Sequence, residues 1–427
     1  MARITHESLS VRAKISVLLV LALAFMMVFS ASFVVKANTA IDPHDWPMFQ
    51  HDPAHSGYST STTPTTNQTL WTWPFSFALR SSPTVANGIV YFGSEYSVMA
   101  MNAATGWPIL WSRQIGGNVE SSPAVANGLV YVDSDDQTVH ALNATTGSFV
   151  WNYTTGVTGK SSPCVVGGLV YVGSGDGKVY ALNAATGALV WNYTTGGSVE
   201  SSPAVANSIV YIGSDDNRTY ALNAATGALL WNYTTGGAVS SSPAVVNGIV
   251  YVGSDDDKVY ALNAATGALV WNYTTGGSVE SSPAVANGIV YVGSDDSNVY
   301  ALNATTGAQA WNYTTFGPVS LSPAVANGLV FIGSYENVYA LSAANGSLVW
   351  RYITSEGYIS NSSPSTSPAV ADGVVYIGST YGMFYAFGAS SAVPEFQPFT
   401  LLVLLLVVTL GVTSTRALSR KSWLLFV

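Results

Sequence analysis

Short apolar runs separated by polar turns fill the middle of the chain, and the pattern returns about every 40 residues. Residues 281–320 form one full unit, "SSPAVANGIVYVGSDDSNVYALNATTGAQAWNYTTFGPVS". Within it, four runs rich in Val, Tyr, Ala and Trp are separated by Asn-Gly, Asp-Asp and Asn-Ala-Thr-Thr-Gly turns. Such runs between turn residues predict hairpin-linked β-strands, and no segment of the unit has helical periodicity. Each unit therefore predicts four antiparallel strands, which is the pattern of one propeller blade.

Each predicted fourth strand contains one tryptophan, so the tryptophans give the number of units. They stand 40 residues apart, or 39 for the last pair, at Trp71, Trp111, Trp151, Trp191, Trp231, Trp271, Trp311 and Trp350. The last unit, Val370–Gly388, has no fourth strand of its own, whereas Thr69–Phe75 is a fourth strand that precedes the first full unit. Pairing the two removes open sheet edges that would promote aggregation. We therefore predict an all-β fold, an eight-bladed β-propeller of four-stranded antiparallel blades closed by the N-terminal strand.

Longer apolar runs occur near the two ends of the chain. Ile15–Val35 follows basic residues, as in a secretory signal peptide, but its 21 residues also suit an uncleaved signal anchor. Phe399–Thr413 is followed by basic residues, which predicts a membrane anchor with the tail inside the cell and the propeller outside. We therefore expect the protein on the extracellular face of the cell membrane.

These features divide the chain into six predicted regions. They are a signal peptide or signal anchor at 1–40, a lead-in segment at 41–68, the propeller at 69–390, a linker at 391–398, a transmembrane helix at 399–415 and a basic cytoplasmic tail at 416–427. In the linker, Pro394-Glu395-Phe396 resembles the tripartite sorting signal of some archaeal surface proteins, where this motif precedes a membrane segment and basic residues. That resemblance implies that a membrane enzyme processes the tail.

Few residues are charged, and acidic ones dominate. Charged residues make up 9% of the chain, against roughly 25% in average globular proteins. Between Ile41 and Pro394 there are 21 acidic and 7 basic residues, a net charge of −14 that repels phosphate backbones. We therefore exclude nucleic acid as a partner. The single cysteine, Cys164, excludes a disulfide framework, and because it replaces the Ala of "SSPAV" we expect it in the core.

The end of each unit carries a recurring eleven-residue motif. "ALNAATGALVW", Ala181–Trp191, resembles the Ala-x-Asp-x-x-Thr-Gly-x-x-x-Trp docking motif of pyrroloquinoline-quinone-type (PQQ-type) propeller repeats, with Asn where that motif often has Asp. The segment "DWPMFQHDPAHSGYS", Asp45–Ser59, is similar to the lead-in found before such propellers. The resemblance covers about residues 45–390. It implies that the eight tryptophans are structural docking residues, each packed between neighbouring blades.

The same family contains both enzymes and scaffolds. Its quinoprotein dehydrogenases hold the quinone and a calcium ion near the axis, use an Asp base and often carry an adjacent Cys-Cys disulfide. This chain has one cysteine, and no catalytic Asp or calcium-ligand motif can be matched in it. We therefore predict no catalytic residues, no cofactor and no metal, as in the bacterial outer-membrane assembly propeller. The alternative is a PQQ-dependent dehydrogenase, that is, a quinoprotein oxidoreductase.

One position varies while its neighbours barely change, and it is the residue just before the Ser-Ser-Pro step. In blade order it is Arg80, Glu120, Lys160, Glu200, Ser240, Glu280, Ser320 and Ser365. Innermost strands line the axis of a propeller, so these residues are candidates for binding a ligand or partner at its mouth. The alternative is a set of solvated strand ends without a function.

Two further sets contain residue types that can bind metal ions. Most turns between second and third strands are acidic, whereas blades 1, 7 and 8 carry Glu95-Tyr96, Tyr335-Glu336 and Thr380-Tyr381. The carboxylates could collect calcium, but Asp is also a preferred turn residue, and we favour the turn role. His51, Asp52 and His55 have the types of metal ligands, but a capping role for the lead-in is the expectation.

Asparagine sequons suit a secreted chain. Five of them repeat in the "WNYTT" fourth strands, at Asn152, Asn192, Asn232, Asn272 and Asn312. We take these as candidate N-glycosylation sites, although duplication of the repeat would also copy them. Together these features predict a membrane-anchored cell-surface propeller that acts as a non-catalytic binding or scaffold module, with other surface proteins or glycans as partners.

Overall fold

The computed structural model describes residues 44–157, 160–354 and 363–388, and every regular element in that part of the chain is a strand. The predicted signal segment, the Pro-Glu-Phe motif, the transmembrane helix and the basic tail lie outside the described residues. Within those residues no helix has the length and apolar character needed to span a membrane.

The described strands are β1 (Tyr58–Ser59), β2 (Thr69–Pro74), β3 (Thr84–Ala86), β4 (Ile89–Gly93), β5 (Ser97–Asn102), β6 (Ile109–Gln114), β7 (Ala124–Ala126), β8 (Leu129–Ser134), β9 (Thr138–Asn143), β10 (Phe149–Thr154), β11 (Cys164–Val166), β12 (Leu169–Gly173), β13 (Lys178–Asn183), β14 (Leu189–Thr194), β15 (Ala204–Ala206), β16 (Ile209–Ser214), β17 (Arg218–Asn223), β18 (Leu229–Thr234), β19 (Ala244–Val246), β20 (Ile249–Ser254), β21 (Lys258–Asn263), β22 (Leu269–Thr274), β23 (Ala284–Ala286), β24 (Ile289–Gly293), β25 (Asn298–Asn303), β26 (Gln309–Thr314), β27 (Ala324–Ala326), β28 (Leu329–Ser334), β29 (Asn337–Ser342), β30 (Leu348–Ile353), β31 (Ala369–Ala371), β32 (Val374–Gly378) and β33 (Met383–Phe387).

These strands form eight antiparallel sheets, which confirms the predicted eight-bladed propeller. Blades 1 to 7 use four consecutive strands each, from β3–β6 to β27–β30. Blade 8 combines β31, β32 and β33 with β2, which lies antiparallel to β33 with Trp71 opposite Ala386. The ring is therefore closed by the N-terminal strand, as predicted.

Neighbouring blades are joined by a Trp and a Tyr that share one acceptor. Trp151 Nε1 and Tyr131 Oη of blade 2 both donate to the carbonyl oxygen of Ala184 in blade 3, at 2.8 and 3.1 Å. The turn bearing Ala184 also contains Gly187, where an added Cβ would lie 2.6 Å from the Trp151 ring. The docking motif thus needs Trp, Ala and Gly at these positions because they form one contact between blades.

Blade 8 lacks that turn, and the lead-in replaces it. Trp350 of blade 7 donates its Nε1 hydrogen to the carbonyl of Pro64 at 3.2 Å. Across the closure, Trp71 and Tyr376 of blade 8 both donate to Ala103 of blade 1. Every docking tryptophan therefore finds a carbonyl acceptor.

Hydrogen bonds between successive serines connect the innermost strands of neighbouring blades. The backbone N–H of one serine donates to the side-chain oxygen of the next, for example from Ser122 to Ser162 at 2.9 Å and from Ser162 to Ser202 at 2.9 Å. The series continues to blade 8, where Ser367 donates to Ser82 of blade 1. This bonding explains why the Ser-Ser-Pro step recurs in the sequence.

The lead-in lies against the axis-facing edges of the innermost strands. Its carbonyls at Pro47, Pro53, Ala54, Ser56 and Gly57 accept N–H bonds from Val125, Val205, Val245, Val285 and Val325, respectively. Trp46 exchanges two such bonds with Val85, and β1 pairs in parallel with β27. Exposed strand edges are unsatisfied, so the segment supplies partners to six blades.

Candidate functional site

The structure brings part of the variable ring together in two ion pairs. We use "mouth" for the end of the axis where each innermost strand begins. There Arg80 Nη1 lies 2.8 Å from Glu120 Oε1 and Lys160 Nζ lies 3.2 Å from Glu200 Oε2. Each pair joins adjacent blades, so blades 1 and 2 and blades 3 and 4 are linked across their interfaces.

The remaining four positions are a carboxylate and three hydroxyls. Ser240, Glu280 and Ser320 hold the same place at the start of the innermost strands of blades 5, 6 and 7. In blade 8, Ser365 Oγ donates to the carbonyl of Leu79 in the connection to blade 1. One half of the ring is therefore ion-paired and the other half is not.

Carboxylates from the turns add negative charge on the same face. Burial raises the pKa of Asp215, Asp255 and Asp295, and repulsion from neighbouring carboxylates raises each further. Burial also raises the pKa of Glu280, with added repulsion from Asp295 and Asp255. Partial burial lowers the pKa of Lys160, but the Glu200 carboxylate outweighs it and the net shift is upward. The mouth face thus favours binding of positive or hydrogen-bond-donating groups.

The second Asp of each acidic turn has a structural role. Asp216 Oδ2 accepts a hydrogen bond from the backbone N–H of Gly196 at 2.8 Å and another from the Tyr220 hydroxyl. Asp256 and Asp296 repeat both contacts in blades 5 and 6. These carboxylates therefore tie the turn to the preceding blade, in agreement with the turn role.

One buried carboxyl was missed from the sequence. Asp133 replaces the Gly of "YVGS" in blade 2 and is fully buried, and within the described residues no side chain donates a hydrogen bond to either carboxylate oxygen. Burial raises its pKa well above the ordinary value. At the equivalent position of blade 3, a Cβ on Gly173 would lie 2.4 Å from Val199. The residue 40 positions before Val199, which corresponds to it for Asp133, is Gly159 in the sequence. This paired departure from the repeat was the available signal.

Blade 2 differs from its neighbours in a second way. His140 stands where blades 3 to 6 have Tyr, and its Nε2 lies 2.9 Å from Asp136 Oδ2. Its Nδ1 is buried and has no hydrogen-bond partner among the described residues. The histidine thus keeps the turn contact made elsewhere by the tyrosine hydroxyl.

His51, Asp52 and His55 of the lead-in, which have the residue types of metal ligands, make other contacts within the protein. His51 Nδ1 lies 3.4 Å from Asp52 Oδ2, and Asp52 also accepts bonds from Ala54 N and Ser56. His55 is buried with its ring edge against Phe49, and burial lowers its pKa to about 4. Cys164 is also buried, with Sγ 3.7 Å from the carbonyl of Pro53, and burial raises its pKa. These residues hold the lead-in in place.

Within the described residues, no three His, Cys, Asp or Glu side chains are grouped so that they could hold a metal ion. The mouth contains a cavity of about 220 Å³ beside Arg80, Tyr96 and Glu120. Pockets for drug-sized ligands are typically about 300–1,000 Å³, so this cavity suits a single small ring.

The candidate glycosylation residues lie on the outer rim. Asn152, Asn192, Asn232, Asn272 and Asn312 are all exposed and belong to the fourth strands of blades 2 to 6. The Thr two residues later points to the same face of the strand and is also exposed, as Thr194 illustrates. The sequons are therefore accessible.

These features define the class of protein: an eight-bladed propeller docked by Trp and Tyr, with a charged mouth at one end of its axis. The chain belongs to the family described as outer membrane protein assembly factor BamB, whose model matches residues 57–198, 155–241 and 234–399. This match confirms the repeat family inferred from the docking motif. No curated protein matches the sequence significantly.

Solved structures of several kinds share the fold. BamB from Moraxella catarrhalis is 19% identical with a TM-score of 0.64, and the match covers 76% of this chain and 98% of that one. The computationally designed Ika8 protein is 18% identical with a TM-score of 0.64, covering 74% and 97%. Quinohemoprotein alcohol dehydrogenase from Comamonas testosteroni is 18% identical with a TM-score of 0.68, covering 84% and 83%. At such identities the likeness concerns the fold alone.

Proposed function

We propose that this protein is a membrane-anchored propeller on the outer face of the cell that binds a partner through its mouth without catalysis. The observation that carries the proposal is the variable ring on a uniform scaffold. The serine bonds repeat from blade to blade, whereas the ring changes from Arg80 to Glu120 to Lys160 to Ser240. Blade-specific charges on a repeating frame suit recognition of one partner in one orientation.

The residues favour binding over the alternative, a quinone-dependent dehydrogenase. That reaction needs a cofactor and a metal held near the axis by specific side chains. The described residues contain no metal-binding group of three, and the chain has one cysteine, which is buried. The fold itself does not decide, because fold does not imply function.

We infer the cellular location of the module from the sequence. Phe399–Thr413 would anchor it, and residues 1–40 would direct it to export. The exposed sequons on the rim support modification by N-linked sugars at that location. Other surface proteins or glycans are then the partners within reach.

The test is crosslinking on intact cells followed by mass spectrometry of captured partners. The variant replaces both Arg80 and Lys160 by Ala. The matched control replaces Arg218 and Lys258, the first residues of the third strands of blades 4 and 5, by Ala. We expect the parent and control to capture the same partner and the ring variant to lose it, with little change in thermal unfolding because the ring cations are exposed.

Three results would overturn parts of the proposal. Equal capture by the ring variant and the parent would exclude the mouth as the binding surface. A stoichiometric complex with added quinone and calcium that reduces a dye on addition of an alcohol or sugar would establish the enzyme instead. Protection of the propeller from protease added to intact cells would reverse the proposed topology.

A further inference from the structure

Three neighbouring blades depart from the acidic turn of the repeat. In blades 7, 8 and 1 the turn between the second and third strands carries Tyr335, Tyr381 and Tyr96, which are 55%, 51% and 56% exposed. Blade 8 adjoins blade 1 through the closure by β2, so the three tyrosines follow one another around the mouth face. We call this set the tyrosine arc.

The tyrosines do not make the contact that the acidic turns make in other blades. In blades 4 to 6 the acidic turn is tied to the preceding blade, as Asp256 is to Gly236 N at 2.7 Å. No hydrogen bond of the three tyrosine hydroxyls is found in the described part of the chain. Large aromatic side chains left half exposed on three successive blades indicate a surface that contacts a ligand.

The fourth strands, on the outer rim, also distinguish blades 7, 8 and 1 from the others. The fourth strands of blades 2 to 6 carry the exposed Asn of a sequon after the docking Trp, but those of blades 7, 8 and 1 carry Arg351, Thr72 and Ser112. Sugars on the five sequons would leave the fourth strands of these three blades bare. The fourth strands of the sector with the tyrosine arc thus lack the sequon that blades 2 to 6 repeat.

A polar cavity adjoins the first tyrosine of the arc. The cavity of about 220 Å³ is lined by Tyr96, Glu95, Asn118 and the ion pair of Arg80 with Glu120. The turn with Tyr381 is bonded to the segment that leads into this lining, since Phe75 N donates to Gly382 O at 2.8 Å and Leu79 N to Ser379 O at 3.2 Å. The turn with Tyr381 is therefore held beside the segment that lines the cavity.

We propose that this surface binds a saccharide chain, with one sugar ring in the cavity and further rings along the arc. The C–H face of a pyranose packs on an aromatic ring, and its hydroxyls bond to carboxylate, amide and guanidinium groups, which are the groups in the lining. Aromatic side chains repeated on three blades match a ligand made of repeated rings. Arg80 is already paired with Glu120 and Glu95 adds negative charge, so neutral sugars fit better than acidic ones.

This inference rests on the proposed function, because it names the ligand class for one side of the mouth. The experiment titrates the full chain in detergent with hexasaccharides of glucose, mannose, N-acetylglucosamine and galacturonate, using calorimetry and intrinsic fluorescence. We expect a neutral hexasaccharide to bind in preference to galacturonate. Tyr96→Ala and Tyr381→Ala should each weaken binding by about tenfold or more. Tyr96→Phe should retain it, because the ring remains.

The control is Phe149→Ala, which removes an aromatic side chain 49% exposed on the rim of blade 2, away from the mouth. It should bind like the parent, and circular dichroism should show all variants folded. Absence of binding by every hexasaccharide, or unchanged binding by both tyrosine variants, overturns the inference. If the tyrosine variants instead lose a crosslinked protein partner and no sugar binds, the arc is a protein interface. Loss of capture in the Arg80 and Lys160 variant is scored separately, so the proposed function can stand when this inference fails.

Discussion

Single glycines of the docking motif explain why the repeat tolerates so little variation. Gly187 has a φ of +73° and an added Cβ would meet the Trp151 ring at 2.6 Å, whereas Gly128 has a φ of +76° with nothing within 4 Å. Both positions therefore carry the same conformational restriction, but Gly187 also carries a packing restriction.

The two glycines allow the two effects to be separated. Gly128→Ala should lower the free energy of unfolding by about 1 kcal/mol through the backbone alone. Gly187→Ala should lower it by roughly 1–3 kcal/mol more, because the methyl group forces blades 2 and 3 apart. Denaturant unfolding of both variants checks this. Equal losses would mean that the Trp151 contact adjusts without cost.

Asp133 is the residue at which the chain departs from the repeat at the expense of stability. No side chain of the described residues donates to its buried carboxyl, and burial raises its pKa, so the folded state binds a proton more tightly than the unfolded state. Its contribution to stability is present below the unfolded pKa near 4 and is lost as pH rises through the folded pKa.

Asp133→Asn should therefore raise the melting temperature at pH 7 by about 2 °C or more, with a smaller gain at pH 4. The reason is that the amide has the same shape but needs no proton to stay neutral. Asp257→Asn, in a turn of blade 5, serves as the control. A lower melting temperature for Asp133→Asn at pH 7 would show that the carboxylate has a stabilising partner.

At the scale of elements, backbone hydrogen bonds hold the lead-in against the innermost strands, and the lead-in contains one buried histidine, His55. Burial lowers the pKa of His55 to about 4, from an ordinary value near 6.5. A base with a lowered folded pKa contributes stability that is present above pH 6.5 and is lost as pH falls toward 4. We expect the lead-in to loosen in this range.

His55→Gln keeps a side-chain donor but cannot be protonated. It should remove the loss of stability between about pH 6.5 and pH 4. Hydrogen exchange at the Val245 amide, which donates to Ala54 O, should report the change locally. His44→Gln is the control at the start of the described chain. Persistence of the pH slope in His55→Gln would assign it to other groups.

The blades could be predicted from the sequence, but the path of the lead-in could not. The strands have periodic apolar residues, turn residues and a counted tryptophan, and each of these is a side-chain signal. The lead-in instead pairs through carbonyls such as those of Pro47 and Gly57, which any residue supplies. The ring positions were visible because the charge varies there, whereas the pairing of Arg80 with Glu120 depends on how blades close in space.

At the scale of the whole molecule, negative charge collects on the mouth face. Burial raises the pKa of Asp215, Asp255, Asp295 and Glu280, and mutual repulsion adds to the shift. Stability from these groups is present below pH 4 and is lost as pH rises through their folded pKa values. His55 acts in the opposite direction, because its contribution is lost as pH falls.

Two single substitutions with the same change of charge should act in opposite directions at pH 7. Asp255→Asn should raise the melting temperature, because it relieves repulsion toward Asp295 and Glu280. Asp176→Asn should lower it, because the pKa of Asp176 is lowered: burial opposes the charge, but the Lys178 ammonium at 2.8 Å and the Tyr180 hydroxyl at 2.7 Å outweigh it. Added salt should stabilise the parent more than Asp255→Asn, since the substitution already removes part of the repulsion that salt screens. Scanning calorimetry at low and high salt measures all three effects. Shifts of the same sign in both variants would mean that net charge, and not the local environment of each carboxylate, governs the stability of the propeller.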